Sequence, residues 1–550
     1  MARKRLALVI ALVLALIMPI AAQVKTPIAP IQIDSGSVMG KVLSSGVKAW
    51  LGVPYAKAPV RDLRWKAPQP ITWEGVYNAD RKMPECIQIL RPHDINHYFG
   101  EEATSEDCLY LNVWAPSNAT AASNFPVIVF IYGGGSTVGS SGMALYDGEQ
   151  VARRGAVFVN FNYRLGILGF MAHPELTKES GRTASGNWAY LDQVAALQWI
   201  QRNITKFGGN PAKVVISGQS AGAGAVSLLQ ASPLAKGLFR GVVAMSGGTW
   251  GNGGTGGTRR AEAEKTGLRI QSEMKAKSLA DLRNVPADRL LALQAENQLG
   301  ATGGGPIRIG GSIDGYFLPD SPAALFAAHR NSDVPVIAGF ANDESNNGLR
   351  QTTTVAEYTM VVKKAYGENA SEFLKYYPVK SDAEIAEVAK TAAREGAVLR
   401  TARNWAVAQL KSNKSPVYIY DLVRVHPFNR EALAADRVDL IGAYHTSDVP
   451  YWFGTLDAFN LFRPMRLWQP YDRELSEKMT ASLIAFANTG NPNTRDIVWP
   501  AWSPGNEQLL EFGRSAIVSR PIHSARLEFM AKSSVQIPVP PRGLPGQPRD

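Results

Sequence analysis

Residues 214–222 read VVISGQSAG, and residues 223–229 continue as AGAVSLL. The first four residues form an apolar run that favours a buried strand, and the later segment favours a helix. Between them Ser220 stands in the pattern G-x-S-x-G, flanked by Gly218 and Gly222. In a nucleophile elbow such a serine occupies a strained strand-to-helix turn, where larger flanking side chains would clash. The stretch therefore predicts that Ser220 is a nucleophile at the positive end of a helix dipole.

The pattern alone is a weak signal. With glycine and serine each near 7% of residues, it should occur by chance in roughly one chain in five of this length. The alternative is a glycine-flanked serine in an ordinary loop. The strand before it, the helix after it and the companion segments described next favour the elbow.

Other apolar runs extend the same pattern. Residues 127–131 and 156–160 are continuous and mostly apolar, as strands buried on both faces of a parallel sheet are. Between the strands, residues 187–207 carry apolar side chains at helical spacing. This alternation predicts an α/β fold, a mixed and mostly parallel sheet with right-handed crossovers.

A glycine-rich loop follows the strand at 127–131. It contains Gly133, Gly134 and Gly135 directly after Tyr132. Three glycines in a row are more often a flexible turn, but after a strand they also suit an oxyanion hole, which needs backbone N–H groups close to the substrate. The N–H of Ala221, directly after the predicted nucleophile, would complete such a site.

The N-terminus has the build of a secretory signal peptide. The chain has 550 residues with a formal net charge of +11. Basic residues at 3–5 precede an apolar run at 6–20, and small residues at 21–22 offer a cleavage site after Ala22. The apolar run is shorter than the roughly 20 residues that a bilayer needs, so a membrane anchor is the less favoured alternative. The remaining basic residues are dispersed, which argues against nucleic-acid binding.

The chain has two cysteines, Cys86 and Cys108. In an exported protein they can pair, closing a loop of about twenty residues that is worth roughly 3 kcal/mol. The alternative, a metal site, lacks enough ligands at zinc spacing.

Several further segments resemble the type-B carboxylesterase and cholinesterase family. Residues 105–114 (SEDCLYLNVW) are similar to the family's second signature, and residues 162–166 (NYRLG) with 168–170 (LGF) match another stretch. Residues 52–56 and 63–65 are similar to its N-terminal region. The resemblance runs from about residue 34 to about residue 530. It implies an α/β-hydrolase fold and the hydrolysis of carboxylic esters.

The resemblance also assigns roles to single positions. It implies Ser220 as the nucleophile and Gly134, Gly135 and Ala221 as the oxyanion donors. The family's acid lies in a Gly-x-x-x-Asp-Glu stretch, which implies Glu344, and its first disulfide implies the pairing of the two cysteines.

The base is expected to be a histidine after the acid, because the triad order in this fold is serine, acid, histidine. His426, His445 and His523 all lie after Glu344, and any of them could be structural. His445 follows the apolar stretch 438–444, which suggests a position at the end of a strand. The family places its histidine shortly before an aromatic-Phe-Gly, and this implies His445.

Two positions depart from the family pattern. Gln219 stands where the family usually has glutamate, and Ser136 stands where an aromatic residue is usual. The loss of a negative charge predicts weaker attraction to cationic esters, and the second change predicts a wider or more polar pocket. Ser246 matches a second serine near the family's triad, but a plain turn serine explains it equally well.

Together these features predict a signal peptide at 1–22, a catalytic domain at 23–536 and a Pro/Arg-rich tail at 537–550. We expect a secreted or periplasmic enzyme that hydrolyses a small-molecule carboxylic ester, with no metal or organic cofactor and no membrane span; the natural ester and its chain length stay open. The oligomeric state stays open. The alternatives are an inactive hydrolase-fold binding or adhesion protein, and an amidase, lipase or thioesterase that uses the same triad.

Overall fold

A computed structural model describes residues 28–89, 102–252, 256–299, 307, 309–434, 437–533, 535 and 537. The predicted signal peptide lies outside the described residues, as does the predicted tail except for Ile537. Among the described residues no helix is both long and apolar enough to cross a bilayer.

The described strands belong to one large sheet and three small ones. Their bounds are β1 Ile31–Ile33, β2 Gly36–Met39, β3 Lys41–Val42, β4 Lys48–Pro54, β5 Val76–Asn78, β6 Glu85–Cys86, β7 Thr104–Ser105, β8 Tyr110–Ala115, β9 Phe125–Ile131, β10 Val157–Phe161, β11 Gly209–Gln219, β12 Gly241–Met245, β13 Thr258–Arg259, β14 Ser312–Ile313, β15 Val336–Ala341, β16 Val417–Leu422, β17 Gln508–Phe512 and β18 Ile517–Pro521. The large sheet has 11 strands in the order β18-β17-β16-β15-β12-β11-β9-β10-β8-β4-β3. From β10 across to β17 every neighbouring pair is parallel, and the remaining pairs towards both edges are antiparallel.

Helices connect these strands. Their bounds are α1 Glu149–Arg153, α2 Gly166–Phe170, α3 Pro174–Glu179, α4 Trp188–Asn203, α5 Ala221–Ala231, α6 Arg260–Glu273, α7 Leu279–Arg283, α8 Ala287–Leu299, α9 Pro322–Ala327, α10 Val355–Tyr366, α11 Ala370–Tyr376, α12 Ile385–Gly396, α13 Val398–Ser412, α14 Val449–Phe453, α15 Pro470–Thr489 and α16 Ser524–Ser533. The predicted helix at 187–207 is α4 followed by a 3₁₀ turn, and the predicted helix after Ser220 is α5.

The core of the large sheet is apolar on both faces. Residues 127–131 of β9 and 214–216 of β11 are each 0% exposed. Helices on both faces exclude water from such strands, which explains why they read as continuous rather than alternating apolar runs. The predicted α/β-hydrolase class, with a mostly parallel sheet flanked by helices, is confirmed.

The parallel order determines where the chemistry can lie. The carboxyl ends of β9, β11 and β15 meet at one edge of the sheet, because parallel neighbours end on the same side. These strands end at Ile131, Gln219 and Ala341. The glycine-rich loop, Ser220 and Glu344 follow them and therefore lie at the same edge.

The two cysteines form a disulfide, as predicted. The sulfur atoms of Cys86 and Cys108 are 2.08 Å apart, and both residues are buried. Cys86 ends β6, and Cys108 lies just after β7, the partner strand of β6. The bond thus joins chain segments on both sides of residues 90–101, which lie outside the described part.

Candidate active site

Ser220 occupies the turn between β11 and α5. Its backbone has φ 57° and ψ −119°, a conformation that costs a non-glycine residue on the order of 1–3 kcal/mol. Its N–H donates to the carbonyl of Met245 at 2.8 Å, which ties the turn to the end of β12. A Cβ on Gly222 would lie 2.0 Å from the carbonyl oxygen of Ile131, and one on Gly218 would lie 2.2 Å from that of Gly222. Both glycines of the motif are therefore required by close packing.

The glycine-rich loop packs directly against this turn. Gly134 has φ +94°, and its carbonyl accepts the N–H groups of Thr137 and Val138, each at 3.1 Å. Within the described part of the chain, the N–H groups of Gly134, Gly135 and Ala221 donate no hydrogen bond. The loop thus presents backbone donors to a site that an oxyanion could occupy.

Glu344 lies three residues beyond the end of β15 and its side chain is only 2% exposed. Its Oε1 accepts the N–H of Ala341 at 3.2 Å, and its Oε2 accepts a hydrogen bond from Nδ1 of His445. Each carboxylate oxygen therefore has a partner, so the carboxylate has a defined orientation towards the imidazole. The structure brings these two predicted residues together across 101 positions of sequence.

His445 lies in a loop rather than at the end of a strand. The apolar stretch before it forms a 3₁₀ turn, Val438–Leu440, so the expected strand-end position was wrong. The loop is held instead by Asp343, whose N–H donates to the carbonyl of Ala443 and whose Oδ2 accepts the N–H of Ala443, both at 2.9 Å. A β-branched residue follows, Thr446 with φ 82°, which shows how tightly the loop bends.

The sequence patterns do not mark Asp343 as a functional residue. It stands directly before Glu344, and its two bonds to Ala443 place the histidine loop beside the acid. Its place next to the predicted acid was the available signal. Asp343 is also ion-paired with Lys390 at 3.3 Å.

The environment of His445 changes its pKa. Burial by itself would lower the pKa of the imidazole. The hydrogen bond from Nδ1 to Glu344 and the negative charges of Glu344 and Asp448 outweigh burial and raise the pKa of His445 above its ordinary value. The side chain of His445 is 41% exposed.

The Nε2 atom of His445 faces Gln219. The two Nε2 atoms are 3.1 Å apart, and Gln219 is 1% exposed. In the described part of the chain the hydroxyl of Ser220 makes no hydrogen bond to His445 or to any other residue. The predicted serine, acid and histidine thus meet at one edge of the sheet, with the serine–histidine contact still unmade.

The other two candidate histidines do not face Ser220. His426 is 2% exposed, its Nε2 donates to the carbonyl of Ser447 at 2.8 Å, and its Nδ1 accepts the hydroxyl of Tyr444 at 3.1 Å. Burial, followed by the positive charge of Arg466, lowers its pKa well below 6.5. His426 is thus uncharged and hydrogen-bonds the loop on both sides of His445. His523 is exposed and lies just before α16.

Two more buried carboxyl groups lie behind the Glu344–His445 pair. Burial raises the pKa of Asp448 to about 6, although the hydroxyl of Tyr420 donates to its Oδ2 at 2.6 Å. Burial likewise raises the pKa of Asp421, on β16, to about 8. After burial, the negative charge of Glu344 adds to the rise in both pKa values.

Ser246 and Ser136 border the elbow. The N–H of Ser246 donates to the carbonyl of Gly339 at 2.7 Å, while its buried hydroxyl has no partner among the described residues. A Cβ on the following residue, Gly247, would lie 2.5 Å from the carbonyl oxygen of Ser220. Ser136 has φ 62°, and its carbonyl accepts the N–H of Gly166 at 2.8 Å. Both serines therefore shape the backbone around the site.

Comparisons with known proteins identify the family of this chain. A sequence model described as the carboxylesterase family matches residues 26–530. Fumonisin B1 esterase of Sphingopyxis macrogoltabida is 33% identical over 510 residues, covering 90% of this chain and 88% of that protein. Para-nitrobenzyl esterase of Bacillus subtilis (strain 168) is 31% identical, covering 86% and 93%. A solved structure titled PNB esterase superposes with a TM-score of 0.71 at 28% identity, covering 91% of this chain and 99% of that one.

Proposed function

Because this chain belongs to the carboxylesterase family and is a carboxylic ester hydrolase, we propose that it works through an acyl-enzyme on Ser220. In this proposal His445 is the general base and then the general acid. Glu344 orients the imidazole, and the N–H groups of Gly134, Gly135 and Ala221 form the oxyanion hole.

Acylation begins when Nε2 of His445 takes the hydroxyl proton as Ser220 Oγ attacks the ester carbonyl carbon. The carbonyl oxygen becomes an oxyanion that accepts the backbone N–H groups. The tetrahedral intermediate then expels the alkoxide, which leaves as the alcohol with the proton from His445. The acyl group remains on Ser220.

Deacylation repeats these steps with water. His445 takes a proton from the water, the hydroxide attacks the acyl carbonyl, and Ser220 leaves with the proton from Nε2. The products are the carboxylic acid and the regenerated enzyme. Throughout, the carboxylate of Glu344 keeps the proton on Nδ1 and stabilises the imidazolium.

One observation carries this proposal: Glu344 directs the imidazole of His445 to the edge of the sheet where Ser220 sits in a strained turn beside unengaged backbone donors. Such a set supplies the nucleophile, the base, the acid and the oxyanion donors of acyl transfer, and the hydrogen bond from Ser220 to His445 has to form when substrate binds. A binding protein on the same frame would have no need of a buried acid with both oxygens engaged in this way.

The finer parts of the proposal concern export and substrate. The signal-like residues 1–22 and the disulfide favour a secreted or periplasmic enzyme with a catalytic domain at 23–536. At the site, Gln219 contributes no charge beside His445. We therefore favour neutral esters over cationic ones as substrates.

The experiment is hydrolysis of p-nitrophenyl acetate, butyrate and octanoate by the purified protein and by Ser220→Ala. We expect at least about a thousandfold loss of kcat in the variant, because removal of a triad nucleophile leaves only binding and the oxyanion hole. Ser227→Ala is the matched control, since its hydroxyl bonds Thr249 at 2.8 Å, away from the triad. It should keep its activity. Undiminished turnover in Ser220→Ala would refute the assignment. Faster hydrolysis of the octanoate ester when it is aggregated than when it is dissolved would indicate a lipase.

A further inference from the structure

Gln219 is the last residue of β11 and directly precedes Ser220. Its side chain is buried, and its amide nitrogen lies 3.1 Å from Nε2 of His445. Its amide oxygen packs beside the glycine-rich loop, 2.8 Å from the place where a Cβ on Gly133 would lie. That same place is 2.8 Å from Cβ of Ser220. The side-chain amide thus lies next to the base and the oxyanion loop, close to the proposed nucleophile.

The protonation state of His445 determines what this contact is. Glu344 accepts the hydrogen bond from Nδ1, so in the neutral imidazole Nε2 carries the lone pair. The amide nitrogen of Gln219 can only donate. It therefore donates to the lone pair of Nε2, which is the lone pair that has to accept the hydroxyl proton of Ser220. In the resting enzyme the two groups compete for one acceptor.

We propose that Gln219 is a positioning residue that occupies Nε2 of His445 in the resting enzyme and favours the neutral imidazole over the imidazolium. This inference rests on the proposed triad and deepens it. Substrate binding releases Nε2 to Ser220. When Nε2 then becomes an N–H, the amide has to turn its oxygen towards it to keep a hydrogen bond.

Charge distinguishes glutamine from glutamate at this position. Among the described residues, the charged groups that act on His445 are Glu344, on the loop after β15, and Asp448, on its own loop. Asp448 is in turn bonded by Tyr420 of β16. A glutamate at 219 would add a third carboxyl group, placed at Nε2 itself. It could only accept a hydrogen bond, so it would stabilise the imidazolium.

The test is the pH profile of kcat/KM for p-nitrophenyl butyrate. Gln219→Glu is expected to move the acid limb up by about one pH unit, since an adjacent opposite charge shifts a pKa by about that much or more. Activity should fall about tenfold on the acid limb, and the pH at which the limb lies, rather than the height of the plateau, is the readout. Gln219→Met removes the amide while keeping its size, and its limb should move up by no more than about half a unit, because only a neutral hydrogen bond to the unprotonated Nε2 is lost.

A second measurement does not depend on Gln219→Glu folding. In protein labelled with ¹⁵N-histidine, Nε2 of His445 should show the shift of an unprotonated nitrogen that accepts a hydrogen bond. Gln219→Met should move it towards the value of a free acceptor. An acid limb that stays unmoved in an active Gln219→Glu, or an Nε2 shift that is the same in Gln219→Met, overturns the inference. Failure of the proposed triad is a separate result, because Ser220→Ala would then keep its turnover of the ester.

Discussion

The substitution Glu344→Gln should disable the base while leaving the fold almost untouched. Oε1 of Glu344 accepts the N–H of Ala341 at 3.2 Å, so one oxygen of the side chain has to remain an acceptor there. In the variant the amide oxygen takes that place, and the amide NH₂ group faces Nδ1 of His445. Nδ1 then has to accept, so the imidazole proton moves to Nε2. Nε2 can no longer take the proton from Ser220.

The expected magnitude follows from this tautomer. Replacing a triad carboxylate by its amide costs on the order of 10⁴ in kcat where the geometry stays intact. We expect a loss of about 10³–10⁴ in kcat, equivalent to about 4–5 kcal/mol of transition-state stabilisation. KM should change less than about threefold, because the substitution does not touch the pocket. The side chain keeps its volume and its bond to Ala341, so the melting temperature should stay within a few degrees of the wild type.

The assay is steady-state hydrolysis of p-nitrophenyl butyrate, with circular dichroism and thermal melting on the same samples. The matched control is Glu474→Gln on α15, where the same exchange removes an exposed ion pair with Lys478. It should keep its activity. A well-folded Glu344→Gln that retains kcat within tenfold of the wild type would refute the assignment of Glu344.

Three further predictions concern the base, the disulfide and a buried carboxyl group. The acid limb of kcat/KM should lie above pH 6.5, because Glu344 raises the pKa of His445 and the base is lost as pH falls through that raised value; a limb below pH 6.5 would contradict this. Replacing both Cys86 and Cys108 by serine should lower the free energy of unfolding by about 3 kcal/mol in denaturant titrations, since the bond closes a loop across 22 positions; a loss under about 1 kcal/mol would show that the unfolded chain is already constrained. Asp421 has its pKa raised from 3.8 to about 8, so its contribution to stability is present at low pH and is lost as pH rises from about 4 towards 8. Asp421→Asn should therefore stabilise the protein by up to about 4 kcal/mol at pH 7 and by almost nothing at pH 4, at about 1.36 kcal/mol per unit. An equal effect at both pH values would rule out the raised pKa of Asp421 as the cause.

Local sequence was enough to predict the elements that build the fold. The runs at 127–131 and 214–217 are strands because they are apolar throughout, which suits burial on both faces of the sheet. The pattern around Ser220 predicted the elbow because its glycines answer a local need for close packing. The pairing of Cys86 with Cys108 was also predictable, since no third cysteine competes.

Contacts between distant segments were less accessible. The apolar stretch before His445 is compatible with a strand or with a buried turn, so the sequence does not determine where His445 lies. In the structure Asp343 and His426 hold this stretch as a loop. The sequence shows that residue 219 is a glutamine where the family usually has a charged glutamate. It does not show the contact of this amide with Nε2 of His445, because that contact joins residues 226 positions apart. Such pairings come from tertiary packing, which local propensity does not encode.

The central claim is that Ser220 is the nucleophile. It is tested most directly by reacting the protein with a fluorophosphonate, in which the serine oxygen displaces fluoride from phosphorus, and by locating the adduct by mass spectrometry. Cleavage after Lys213 and after Lys236 releases the peptide 214–236, which contains four serines: Ser217, Ser220, Ser227 and Ser232. The account predicts one adduct per chain, on Ser220, absent in Ser220→Ala and formed far more slowly in His445→Ala. An adduct on another serine, or a folded wild type that hydrolyses esters without labelling at Ser220, would contradict it.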